Sequence, residues 1–263
     1  MFKQVSKQQL LIEIVKLRSE ISPSKVVSNY FDSSPEGEEI LLALGNKSLY
    51  FLKKDMNSGF YYYFFIAESG FLLPQNLIFP EVTVVSEQVF KHEISKEIED
   101  HFIFLGFEVY AQLRKMSLIE KKVLSTYNQN IQLCINNDVK YIRLALDVHF
   151  DPISERYPSE TEILSAIKSE SVFKFVSEDR IIGFYWADTK KMLTELRYIH
   201  VCPKFRGSGI GKELFEHHLY MSQRLKKNQL WVLKNNFKAI GMYKKYAYEF
   251  EDLEDIIFVR GKI

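Results

Sequence analysis

The residues of this chain best suited to chemistry lie together in the stretch Pro203-Lys204-Phe205-Arg206-Gly207-Ser208-Gly209-Ile210-Gly211-Lys212. Gly207, Gly209 and Gly211 fall within five residues although the chain has only eleven glycines, so a local need for positive φ or close backbone approach is concentrated here. Lys204, Arg206 and Lys212 add cations, and no acidic residue interrupts 196–212. An apolar run at 192–201 precedes the stretch. A helical period follows it, with Leu214, Phe215, Leu219 and Leu225 on one stripe. Strand, glycine turn and helix together present unpaired N–H groups at a helix start, where the dipole adds partial positive charge. The chemistry of such a place is phosphate binding. A Walker loop is excluded because Gly211-Lys212 is followed by Glu213, and the dinucleotide fingerprint G-x-G-x-x-G is absent.

Titratable residues precede the loop on the same run. Glu195 sits in an apolar strand, where a carboxylate pKa rises toward neutrality and suits a general base. The competing expectation is a strand-end glutamate that faces water or pairs with Arg197. His200 titrates near neutrality by nature and is the reserve base, unless it is simply packed beside the loop. His217 and His218 lie on the following helix and read as structural. Cys134 and Cys202 are far apart and outside any metal-ligand spacing, which predicts two reduced thiols and no metal. No Cys or Ser stands with a His–acid pair in a recognisable order, so a covalent acyl-enzyme is not expected.

The elements that position these residues can be read from periodicity. Residues 6–19 predict an amphipathic helix with Leu10, Ile14 and Leu17 on one stripe. Residues 48–53 and 60–67 predict two strands joined by a turn, 82–86 a third strand, 87–101 a helix and 107–118 a further strand. The polar segment 119–130 marks a domain boundary, which gives domains 1–125 and 126–263. Beyond it, 131–135 and 141–149 read as strand-like. Ser159 with Glu162 is a capping-box signature opening a short helix. Residues 172–177 and 181–187 form a hairpin, 192–201 a long strand, 229–234 a strand, 236–246 a helix and 256–260 a closing strand.

With the motifs in place, the second half resembles the GNAT superfamily of N-acetyltransferases. Arg206, Gly209 and Gly211 occupy the fixed positions of its R/Q-x-x-G-x-G/A pattern. The run Glu195 to Pro203 looks like the family's fourth strand and V-x-P turn, and Asn236-x-x-Ala239-x-x-x-Tyr243 matches its N-x-x-A-x-x-x-Y segment. Lys244 to Tyr248 resembles the usual E-K-x-G-F ending, with Ala247 and Tyr248 replacing Gly and Phe. The likeness covers about residues 131–263. It implies an α/β (α+β) fold with a mixed, mostly antiparallel sheet flanked by helices.

It implies acetyl-CoA as co-substrate, held at Arg206, Gly207, Ser208, Gly209, Ile210, Gly211 and Lys212. The backbone of Ile199, His200 and Val201 would pair with the pantetheine arm, and Asn236 and Ala239 would lie along it. Asn236 could equally be a helix N-cap. Catalytic roles fall to Glu195 as base and to Tyr243 as the acid near the CoA sulfur, although Ala239, Tyr243 and Tyr246 also share a helical face that core packing would explain. The implied reaction is direct attack by a primary amine in a ternary complex. The alternatives are a non-catalytic acetyl-CoA-binding or interaction module, or transfer from another acyl-CoA. In the first half, the strand order and Gly106-Phe107 echo the family, but Glu87-Gln88-Val89-Phe90 stands where a glycine loop would be. A degenerate, CoA-free repeat and an unrelated α+β domain both remain open, as does a homodimer.

Composition limits the partners. The net charge of +1 lacks the basic footprint of a nucleic-acid binder, and the hydrophobic share of 46% suits a folded, non-membrane protein. The longest apolar run, 60–67, is far short of the ~20 residues that span a bilayer. With reduced thiols, these features predict a cytoplasmic protein, and the family resemblance implies a small-molecule or peptide amine as its acceptor.

Overall fold

A computed structural model describes residues 1–29, 39–55, 58–74, 77–119 and 128–261. They form two compact units, Met1–Gln112 with Leu253–Ile263, and Leu113–Asp252. The boundary expected between residues 125 and 126 lies outside the described residues. Within them the chain passes from the first unit to the second at Gln112, and returns at Leu253.

The first unit contains β1 (Lys3–Val5), α1 (Lys7–Glu20), β2 (Val26–Ser28), β3 (Ile40–Gly45), β4 (Ser48–Lys54), β5 (Tyr61–Glu68), β6 (Val84–Phe90), α2 (Lys96–Phe104) and the start of β7 (Glu108–Leu118). α1 begins where Ser6 and Gln9 cap each other reciprocally, and it buries the expected stripe of Leu10, Ile14 and Leu17. β4 and β5 form the expected hairpin, with Lys54 opposite Tyr61. The helix expected over 87–101 is a correction. Residues 87–90 continue β6, which pairs antiparallel with Glu254–Arg260 of the chain's last strand, and the helix starts only after Ser95 caps Ile98. The polar residues Glu87 and Gln88 disguised the continuation of the strand, yet Gln88 is buried.

β5 and β6 run parallel, but their register holds only at Tyr61↔Val84 and Tyr62↔Val85. Where they part, the Asn29 side chain fills the gap. Its Nδ2 donates to Tyr63 O (3.2 Å) and Ser86 Oγ (2.7 Å), and its Oδ1 accepts from Phe65 N (2.8 Å). β2, just before Asn29, pairs with β5 at Ile66–Glu68. Chain 26–29 therefore covers the β5 edge that the splay exposes.

The second unit takes Leu113–Leu118 of β7. It continues with β8 (Ile131–Leu133), α3 (Val139–His149), α4 (Glu160–Lys168), β9 (Val172–Ser177), β10 (Arg180–Lys190), β11 (Leu193–Val201), α5 (Ile210–Met221), β12 (Lys227–Leu233), α6 (Phe237–Lys245) and the start of β13 (Glu249–Arg260). Its sheet runs β8-β9-β10-β11-β12-β7, parallel only between β11 and β12. This is the mixed, mostly antiparallel, helix-flanked α/β sheet expected of the chain. One face packs α3 and α4 against Phe184, Trp186 and Tyr198. The other packs α5 and α6 against Leu196, Leu230 and Val232. The strand-like reading of 141–149 is a second correction: Val139, Ile142, Ala145 and Leu146 are buried at helical spacing, and α3 results. Among the described residues, no helix is long and apolar enough to cross a membrane.

Candidate active site

The site grows from a departure of β11 from its neighbours. Its parallel pairing with β12 runs from Leu193↔Lys227 to Leu196↔Leu230 and stops, although both strands continue. On its other side β11 pairs with β10, where Trp186 faces Tyr198 and Ala187 faces Leu196. Arg197 is thus an extra residue, a β-bulge, which reverses the faces of the strand beyond it. Leu196 packs with α5 and α6, whereas Tyr198 packs with α3 and α4. A straight strand would put residues two apart on the same face.

The bulge and the splay together decide which amides are available. Cys202 N donates to Ile182 O (2.8 Å), and bonded positions alternate along an antiparallel ladder. His200 and Tyr198 therefore direct their backbone toward β10. Ile199 and Val201 direct theirs to the edge that β12 has left. Val201 O accepts from Arg206 Nε (3.1 Å), which ties the loop to the strand end.

The loop itself is open. Gly207 (φ 86°) and Gly209 (φ 96°) have positive φ, and a Cβ on either would meet nothing within 4 Å. Phe205 N and Arg206 N close a short turn on Cys202 O and Pro203 O, and Ser208 Oγ donates to Phe205 O (2.6 Å). Among the described residues, the N–H groups of Gly207, Ser208, Gly209, Ile210 and Gly211 donate to no protein atom. Lys204, Arg206 and Lys212 are exposed beside them. Bare amides, a helix start, open space and three cations fit a diphosphate.

The predicted catalytic residues are placed differently from one another. Tyr243 is buried on α6 against Phe215 and Tyr248, and its hydroxyl makes no hydrogen bond among the described residues. Burial first, and the charge of Glu155 second, push its pKa up to about 12. Glu195 is half-buried and accepts a hydrogen bond from Gln229 Nε2, its neighbour across the β11–β12 register. Arg197, the partner considered for it, instead pairs with Asp188 (3.4 Å) and lies over the Trp186 and Tyr198 rings. The His200 ring is buried on the other face, stacked on His149 at 4.8 Å. Burial, then His149 and Arg206, lower its pKa to about 4, so it is neutral at physiological pH. Its backbone faces β10 and its ring lies in the α3 layer. Asn236 is an N-cap, its Oδ1 accepting from Ala239 N (3.1 Å), and Ala239 packs into the α5–α6 core.

The turn after α3, held to β11 by the Tyr198 hydroxyl, carries a further acidic residue. Glu155 is half-buried, and its carboxylate makes no hydrogen bond or ion pair among the described residues. Burial, then Asp151, raise its pKa to about 7. Nothing in the sequence marks it, because the segment Asp151 to Pro158 reads as an ordinary polar loop and its burial is a product of the fold.

A family model described as "Acetyltransferase (GNAT) domain" matches residues 168–250. Over 108 residues the chain is 31% identical to the peptidyl-lysine N-acetyltransferase YjaB of Escherichia coli (strain K12), covering 40% of this chain and 69% of that protein. Its fold is similar to that of a GCN5-related N-acetyltransferase from Sphaerobacter thermophilus, with TM-score 0.59 and 12% identity over 87% of this chain and 82% of that one. It is also similar to a tandem GNAT protein from the clavulanic acid biosynthesis pathway, with TM-score 0.56 and 7% identity over 99% of this chain and 98% of that one. At such identities these two likenesses concern the fold alone.

Proposed function

Since the chain belongs to the GNAT superfamily of acyltransferases, we propose that it moves an acetyl group from acetyl-CoA to a primary amine by direct attack in a ternary complex. The observation that carries this reading is the set of unbonded amides from Gly207 to Gly211 beside the splayed edge of β11. Acetyl-CoA, when bound, supplies an activated thioester and a good leaving thiolate. The Gly207–Gly211 amides and the nearby cations hold its diphosphate. Ile199 and Val201 offer backbone groups to its amide-bearing arm, in the manner of an added strand. Tyr243 keeps its proton until a thiolate develops beside it. Glu195, held by Gln229, is one base candidate for the acceptor amine.

YjaB is a peptidyl-lysine acetyltransferase, which makes a lysine-bearing peptide the first acceptor to assay. The first unit bears on the acceptor only indirectly. Its own β5–β6 splay is filled by Asn29, which supports reading it as a degenerate repeat without a cofactor seat.

Thermal melting tests the loop. A ligand at a hundred times its Kd stabilises by about 2.7 kcal/mol, which raises Tm by roughly 5–10 °C in a protein of this size. Acetyl-CoA is expected to produce such a rise, and Gly209→Glu to abolish it. That variant forces a side chain into positive φ and sets a carboxylate against phosphate. A full rise in the variant would overturn the loop assignment.

A further inference from the structure

The groups that would hold the cofactor lie on the α5–α6 face of the second unit's sheet: the glycine loop opens α5, and Tyr243 is on α6. A cofactor held on that face, with its arm along the freed edge of β11, leaves its thioester to be approached from the opposite face, through the gap between β11 and β12. The side chains that border the gap on that opposite face follow from the strand registers.

Leu196, Leu230, Val232 and Met116 pack into the α5–α6 core, so Glu195, Gln229, Trp231 and Lys115 point the other way. Glu195↔Gln229 is the last rung on this face before the strands part, and Trp231 is the first β12 residue beyond the final pair, Leu196↔Leu230. Arg197, the next β11 side chain, is drawn toward β10, where it pairs with Asp188 and lies over the Trp186 and Tyr198 rings. Among the described residues, the α3–α4 core reaches Tyr198 but includes no residue of β12.

Gln229 is only 7% exposed, and its Nε2 donates to the Glu195 carboxylate. A carboxylate only accepts, so the amide can stand in one orientation, and Oε1 is left as an acceptor. Among the described residues that oxygen receives no hydrogen bond. A side chain so deeply buried ordinarily has its polar atoms satisfied. Beside it, the Glu195 carboxylate keeps further lone pairs. Two acceptor oxygens, one of them anionic, repel a phosphate or carboxylate and suit a cation with several N–H donors. A primary ammonium group has three. Trp231, two residues on and half-buried, borders the same opening with an apolar surface. Lys115 Nζ reaches it from β7, the side away from the gap, and lies 5.3 Å from the ring centre. An indole takes both a cation and the methylenes that carry it.

We infer that Glu195 and Gln229 form the seat for the acceptor's ammonium group and that Trp231 receives the aliphatic chain behind it. The acceptor class is then a primary amine at the end of an unbranched methylene chain, as in a lysine side chain. This rests on the transferase reading above and deepens it. Gln229 serves twice, fixing the Glu195 carboxylate through its N–H and accepting from the ammonium through its Oε1. The seat also sets the amine against the base candidate.

The test is calorimetric titration of the CoA-saturated full chain with ethylamine, n-propylamine, n-butylamine and n-pentylamine, which reads binding without turnover. In the wild type, affinity should rise about two- to fourfold per added methylene. Gln229→Met, of similar volume but without donor or acceptor, should weaken every amine by about ten- to a hundredfold and keep that increment. Trp231→Ala should leave ethylamine affinity in place and flatten the series. The acetyl-CoA-induced Tm rise should be the same in all three proteins, which shows the fold and the cofactor seat intact. A flat series in the wild type, or no heat with any amine, overturns the proposal without recourse to a variant. Wild-type amine affinities in Gln229→Met overturn it as well. Either result alongside a normal acetyl-CoA rise leaves the transferase reading standing. A missing rise in the wild type overturns that reading, and the seat with it.

Discussion

A buried phenol whose proton is secure is a donor that only an anion formed beside it can use. Tyr243 meets that description, with a pKa near 12, no hydrogen-bond partner among the described residues and a packed ring that fixes its direction. Tyr243→Phe keeps the ring and removes only the donor. It should leave the acetyl-CoA-induced Tm rise in place and lower thiol release by about 10²-fold or more. An unchanged rate would return Tyr243 to core packing. The residues of the glycine loop were legible in the sequence because their chemistry is local: positive φ, bare amides and neighbouring cations all follow from residue types within ten positions. Glu155 was not legible. Its burial depends on Tyr198, 43 residues further on, whose hydroxyl holds the backbone of its turn. Simple alternation of faces also does not carry through β11, since the bulge at Arg197 changes them and a bulge leaves no mark in composition.

Two parallel strands that part after a few pairs expose backbone groups on both edges, and each unit of this chain meets that demand differently. In the second, the β11 edge is left open beside a glycine loop. In the first, the β5 edge is closed by β2 and by the Asn29 amide, which bonds to Tyr63 O and Phe65 N as a strand would. Asn29→Ala would strand the buried Phe65 N–H and remove a partner from Ser86. A buried donor left unpaired costs about 1–3 kcal/mol, so Tm should drop by roughly 3–10 °C with acetyl-CoA binding unchanged. Melting of the variant level with wild type would mean that the plug carries no load. Asn29 could not be found from sequence, since a polar residue before a loop is ordinarily read as a turn. The elements misread at this scale share a cause. Gln88 is a polar residue buried within a strand, and 141–149 is rich in residues at home in either structure, so burial and not residue type made the choice.

Across the whole molecule the chain is divided in an interleaved way. The first unit needs Leu253–Ile263, because Glu254–Arg260 pairs with all of β6 and Phe258 stacks on Phe102 with ring centroids 3.9 Å apart. The second unit needs Leu113–Leu118, which pairs with β12. A cut at residue 125, where composition alone suggests a boundary, therefore gives an N-terminal piece without its last strand and a C-terminal piece without the strand beside β12. Either piece exposes an unpaired sheet edge and an uncovered apolar face, which favours aggregation over folding. Pieces 1–125 and 126–263 made separately should show no cooperative melt, whereas the two made together should recover a folded species that binds acetyl-CoA. Cooperative melting of 1–125 alone, read by circular dichroism, would refute the interleaving. The physical reason is that sequence reading locates boundaries where the chain is polar, whereas here the chain changes units inside two strands, at Gln112 and at Leu253. Pairing, which is a long-range property, decides to which core a strand belongs.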